Sequence, residues 1–128
     1  MKKSIFCIFM ILAFILPVNV KASNIELKQC IEISHCVIEE INVQNLKDPF
    51  LKAKAIVNQI PRTKIVELNA DYIHAEVTSR IMKYVDDLEI SYSRDKNKIF
   101  IRSESRVGEG DFGVNKERVK LFKNNLFK

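Results

Sequence analysis

The stretch that decides the fold is Asp87–Ser105, DLEISYSRDKNKIFIRSES. Leu88, Ile90 and Tyr92 alternate with Glu89 and Ser91, which is the two-residue period of a half-buried strand. A polar run, Ser93–Asn97, then separates it from a second alternating run, Lys98–Ser105, so the two strands form a hairpin. Pairing Tyr92 with Ile99 aligns the apolar faces. That register sets Ile90 opposite Ile101 and Glu89 opposite Arg102.

Two further strands precede the hairpin. Tyr72–Ser79 places Ile73, Ala75 and Val77 on one face and His74, Glu76 and Thr78 on the other. Lys64–Leu68 is a strand joined to it through the turn-like Asn69-Ala70-Asp71, and Arg80–Val85 links onward to the hairpin. Asp48-Pro49 reads as a helix start with an acceptor at the N-cap and proline at the first helical position. Ala53, Ile56, Val57 and Ile60 recur at helical spacing, and Pro61 closes a helix over Pro49–Ile60. A second helix is expected over Lys116–Leu126, with Asn115 at its N-cap and Val119, Phe122 and Leu126 facing inward. The resulting fold class is α+β: a four-stranded antiparallel sheet with two helices on one face, in the order α-β-β-β-β-α. Upstream, Val37–Val43 fits either a short strand or an extended crossover.

The first residues read as an export signal. Met1-Lys2-Lys3 is a positive start, Ile5–Val18 is almost wholly apolar, and Val20-Lys21-Ala22 fits a cleavage site after Ala22. The apolar run falls short of the roughly 20 residues that span a bilayer. The expected organisation is a signal over 1–22, a disulfide-stapled segment over 23–47 and an α+β domain over 48–128, in a periplasmic or secreted protein. Loss of Lys2, Lys3 and Lys21 with the signal lowers the formal charge from +5 to +2. So mild a charge gives no basis for nucleic-acid binding. Cys30 and Cys36 remain after Cys7 departs, and an even pair in an exported chain is most simply a disulfide. A metal site with His35 and His74 is the alternative, but C-x5-C does not match a zinc knuckle. No cofactor is expected.

The densest polar stretch follows the hairpin. Arg102–Arg118, RSESRVGEGDFGVNKER, holds all three glycines of the chain and three of its six arginines. Glycine permits left-handed backbone, and arginine offers a planar fork of donors. Arg102, Arg106, Asp111 and Arg118 are therefore expected to converge with Asp86 or Asp87 in one site. That site has two readings. Backbone N–H groups, the helix N-terminus and the arginines could surround an anion. Alternatively, the aspartates neutralise the arginines in a purely structural joint. No G-K-[ST] ending follows Gly108–Gly113, so a phosphate loop is excluded.

Residues 61–119 resemble the bacterial family called domain of unknown function 1499. The resemblance rests on PRTKIVE, DYIHAEVTS, the pair Asp86-Asp87, and IRSESRVGEGDFGVNKERV. Its motif falls on Arg102, Ser103, Ser105, Arg106, Gly108, Asp111, Gly113, Asn115 and Arg118. Cys30…Cys36-Val37 is similar to a cysteine pair of that family, without the family's intervening prolines. The resemblance implies an exported or membrane-associated bacterial protein and supplies no activity.

The expected function is a non-catalytic envelope module binding a small anion, lipid headgroup or envelope protein through Arg102, Ser103, Ser105, Arg106, Gly108, Asp111, Asn115, Arg118, Asp86 and Asp87. The alternative is a small hydrolase-like enzyme using Asp86/Asp87 or a serine. Catalysis by a Ser–His–Asp unit requires His74 within reach of a serine. Strand alternation puts His74 and Ser103 on opposite faces, and the G-x-S-x-G elbow is absent.

Overall fold

The computed structural model describes residues 25–108 and 110–128, so the expected signal at 1–22 lies outside the described residues. The elements run β1 (Cys36–Asn42), α1 (Pro49–Gln59), β2 (Thr63–Leu68), β3 (Tyr72–Thr78), β4 (Val85–Ser93), β5 (Lys98–Ser105) and α2 (Val114–Leu126). The strands make one sheet in the order β1-β5-β4-β3-β2, and every neighbouring pair is antiparallel. β2 to β5 form a meander, and α1 carries the chain from one edge of the sheet to the other.

The α+β class and the two helices on one face match the expectation; the strand count and order do not. A fifth strand, β1, pairs with β5 through Cys36–Glu104 to Asn42–Lys98, so a strand comes first among the described elements. Its sequence, CVIEEIN, hides the alternation because Glu39 and Glu40 are adjacent. Each glutamate meets a lysine on its own side: Glu39 lies 3.5 Å from Lys123 of α2, and Glu40 pairs with Lys98 of β5. These two pairs make an ambiguous pattern acceptable as a strand.

The hairpin register is the expected one, with Tyr92 opposite Ile99, Ile90 opposite Ile101 and Glu89 opposite Arg102. Leu88, Ile90, Ile99 and Ile101 are fully buried on the helix side. They pack with Ile73 and Ala75 of β3, Ala53 and Val57 of α1, and Val119, Phe122 and Leu126 of α2. Each valine, leucine, isoleucine or phenylalanine among them contributes about 1.5–3 kcal/mol on leaving water, which is why the helices dock here.

Both helix starts differ from expectation. Asp48 adopts a left-handed conformation (φ 48°) and its side chain makes no cap, because capping geometry requires extended backbone at that position. α2 begins two residues early, at Val114, with Gly113 as its N-cap at φ 78°. Glycine holds that conformation without steric cost. Asn115 is thereby moved inside the first turn and is completely buried.

Cys30 and Cys36 form a disulfide across the loop that enters β1. We expect its reduction to cost about 2 kcal/mol by restoring freedom to the unfolded chain. Calorimetry with and without reductant checks this, and an unchanged melting temperature contradicts it.

Candidate functional site

Asp86 and Asp87 are consecutive in β4, so their carboxylates leave opposite faces of the sheet. That alternation splits the expected single cluster in two. Arg118, Ser103, Ser105, Asn115 and Asp111 gather with Asp86 beneath α2. Arg102 and Arg106 join Asp87 on the open face. The convergence of all three arginines is therefore corrected: strand parity separates Arg102 and Arg106 from Arg118 by the thickness of the sheet.

The inner cluster centres on the Asn115 side chain. Ser103 Oγ donates to Asn115 Oδ1 at 2.6 Å, and Arg118 Nη1 donates to both at 2.9 and 2.8 Å. Asn115 Nδ2 faces three acceptors: Ser105 Oγ at 2.8 Å, Asp111 Oδ2 at 2.7 Å and the His35 carbonyl at 3.1 Å. The Ser105 N–H also donates to that carbonyl, so the disulfide loop is tied to both β5 and α2. Arg118 Nη2 then donates to Asp86 Oδ2 at 2.8 Å, and both side chains keep only 11% of their exposure. A buried pair of this kind is tolerated only when each charge is matched and hydrogen-bonded.

Asp111 occupies the α2 N-terminus. Its carboxylate accepts from the Gly113 N–H and the Asn115 N–H, each at 2.9 Å. Burial pushes its pKa up, but the backbone donors of Asn115 and Gly113 outweigh this and hold it below the usual carboxylate range. The position where a phosphate or carboxylate ligand would sit is filled by the chain's own carboxylate.

The open face carries two chains of charge. Arg106 donates Nε to Asp87 Oδ2 at 2.8 Å and Nη2 to Asp87 Oδ1 and Glu76 Oε1, both at 2.7 Å. His74 Nε2 lies 2.7 Å from Asp87 Oδ1. The Arg106 fork, helped by His74 and opposed by burial, holds the Asp87 carboxyl below its ordinary range. Further along, Arg102 donates Nη1 to Glu89 at 3.1 Å and Nη2 to Glu104. Tyr72 donates its hydroxyl to Glu89 at 2.7 Å, and burial together with that glutamate raises the phenol's pKa. In these two chains the four carboxylates of Glu76, Asp87, Glu89 and Glu104 outnumber the two arginines, which disfavours an anion here.

Residues 25–29 cover the other half of the open face. Ser91 Oγ donates to the Ile25 carbonyl at 2.7 Å, and Leu27 is buried. A cavity of about 330 Å³ remains between this segment and Ile38, Phe100 and Ser91. Gly108 adopts φ 105° in the loop after β5. Sequence reasoning missed Glu104, Tyr72 and the His35 carbonyl. Glu104 was legible, since it stands two residues from Arg102 and so shares its face. The carbonyl had no signal at all.

Fold and cluster together define a class: a helix-covered antiparallel sheet whose last connection is pinned by a buried polar joint. The chain belongs to the family described as Protein of unknown function (DUF1499), whose model matches residues 18–126. No curated protein matches it.

Replacing Asp86 by Asn leaves Arg118 uncompensated and should cost about 3 kcal/mol, whereas Asp87→Asn should cost less because its pair is more exposed. Equal losses in urea unfolding contradict this ranking. Asp87 and Asp111 both have depressed folded pKa values. Their stabilisation is complete above the unfolded carboxylate value of about 3.9 and is lost as pH falls through the lower folded values. Wild-type stability should therefore fall below pH ~4, and the double variant Asp87→Asn/Asp111→Asn should start lower and vary less over that window.

Proposed function

We propose that this chain is an exported, non-catalytic interaction module of the cell envelope. The observation that carries the reading is how the chemistry-bearing side chains are used. Each motif arginine already faces carboxylates, so a bound anion would have to displace an internal partner. The Ser103 hydroxyl donates to Asn115 and lies across the sheet from His74, whose side-chain partner is Asp87. The partners of Ser103 and Ser105 in this joint are the amide of Asn115 and the guanidinium of Arg118, neither of which is a base that could activate a hydroxyl. These residues hold the turn from Asp111 to Asn115, and the exposed Phe112 at that turn is what remains free to meet a partner.

Export is supported by the pattern at Met1–Ala22 and by the Cys30–Cys36 disulfide, a bond of oxidising compartments. Among the described residues no helix is long and apolar enough to cross a membrane. The hydrolase-like alternative on Asp86/Asp87 or a serine has less support, because the two carboxylates face opposite ways.

The test is to isolate the protein from the periplasm and examine mass and turnover together. We expect an N-terminus at Ser23, a mass two hydrogens below the dithiol, and no hydrolysis of ester, phosphoester or glycoside substrates. A retained Met1 overturns export. Turnover that disappears in Ser103→Ala or Asp87→Asn, with folding intact, overturns the non-catalytic reading.

A further inference from the structure

Beyond that reading, we propose that the groove between the two helices binds a slim acyl chain with an anionic head. Ile56, Gln59 and Ile60 share one side of α1 near its end, and Val114, Leu121 and Asn125 share one side of α2. These sides face each other without closing, and a cavity of about 460 Å³ lies between them. Its floor is Val77 of β3 and Phe122, both buried in the core, so it runs down between the helices to the sheet. On its α2 wall, Val114 and Leu121 remain about half exposed. Small-molecule sites span about 300–1,000 Å³ and combine apolar walls with a few polar groups, and this cavity does both.

Shape narrows the occupant. Whatever reaches Val77 has to pass between two helices. A partner helix, about 10–12 Å across with its side chains, is too broad for that path. A protein surface packed flat would leave the floor empty. An unbranched acyl chain fills it, and its burial against Ile56, Ile60, Val77 and Leu121 supplies the driving force.

The head is placed by one side chain. Three charged residues line the groove: Arg62, Glu117 and Arg118. Arg118 is matched by Asp86 at 2.8 Å, and Glu117 lies 4.0 Å from Lys120. Asp111, in the connection before α2, is already held by the N–H groups of Gly113 and Asn115 and by the Asn115 amide. Arg62 forms no ion pair among the described residues. Its Nε donates to the Thr78 carbonyl at 2.9 Å, and the Thr78 N–H donates back to the Arg62 carbonyl at 3.0 Å. This reciprocal pair fixes the arginine beside the groove at φ 55°, a left-handed conformation that most residues avoid. Both Nη groups are left without a partner among the described residues. Two donors in a fixed fork match two oxygens of a carboxylate or phosphate. Free fatty acids and single-chain phospholipids share that chemistry.

Calorimetry and methyl NMR on the exported protein test the site. The probes are decanoate, decanoyl lysophosphatidylglycerol and decanol, each below its micelle concentration. At least one of the two anions should bind saturably and shift the methyls of Ile56, Ile60, Val77 and Leu121. The tighter of the two identifies the source of the head. Decanol, which lacks the charge, should bind at least about tenfold more weakly. Leu121→Glu should weaken anion binding at least about tenfold with an unchanged melting temperature, and Val114→Glu takes its place if that variant misfolds. Arg62→Gln should remove the advantage over decanol and leave decanol binding as it was. Leu51→Glu, near the other end of α1, should change nothing. Glu109, outside the described residues, is tested by Glu109→Gln, which should leave affinity within about twofold. A tenfold gain there would assign the Arg62 fork to that carboxylate and overturn the head contact. Three other results overturn the proposal: no saturable binding of either anion, wild-type affinity in a folded groove variant, or a preference over decanol that survives Arg62→Gln. No arm breaks a bond of the probe, so failure here leaves the non-catalytic reading standing.

Discussion

The side chain of Asn115 is the constraint on which the rest of this structure depends. It is completely buried, and one amide serves β5 through Ser103 and Ser105, the disulfide loop through the His35 carbonyl, and the α2 N-terminus through Asp111. Arg118 extends the same network to Asp86 of β4. An unsatisfied polar group at this depth costs more than one hydrogen bond contributes, so the network is close to all-or-none. Losing any member leaves others orphaned. The turn from Asp111 to Asn115 is consequently fixed from the sheet below and the helix beside it.

Much of the fold was legible because strand parity is unforgiving. In the hairpin from Leu88 to Ile101, a one-residue slip would turn Glu89 and Arg102 into the apolar core and move Ile90 and Ile101 out of it. β1 was only half legible, since adjacent Glu39 and Glu40 blur its period and their lysine partners lie 58 and 84 residues away. The α2 start was misread because asparagine before a helix is usually a cap. Here Gly113 supplies the turn, and Asn115 is freed to point inward.

For the candidate site, composition put Arg102, Arg106 and Arg118 in one group, which the structure divides. Arg102, Arg106 and Arg118 are close in sequence, yet a strand followed by a helix distributes them to two faces. Parity alone assigns Asp86 to Arg118 and Asp87 to Arg106 once the helix side is known. What no pattern reveals is a backbone acceptor such as the His35 carbonyl, or a glycine loop whose anion is its own Asp111. A motif rich in arginine, glycine and aspartate can thus resemble a ligand site while serving to shape a loop. Phe112, which that turn leaves fully exposed, is the group without an internal partner.

The most direct measurement is amide hydrogen exchange at Ser105, Gly113 and Asn115, whose N–H groups bond to His35 and Asp111. If the joint is internal, all three exchange slowly in the free protein and phosphate changes nothing. The three should then lose protection together in Asn115→Ala. Rapid exchange in the free protein that phosphate slows would contradict the account, because it would mean that the loop is completed by a ligand and not by Asp111.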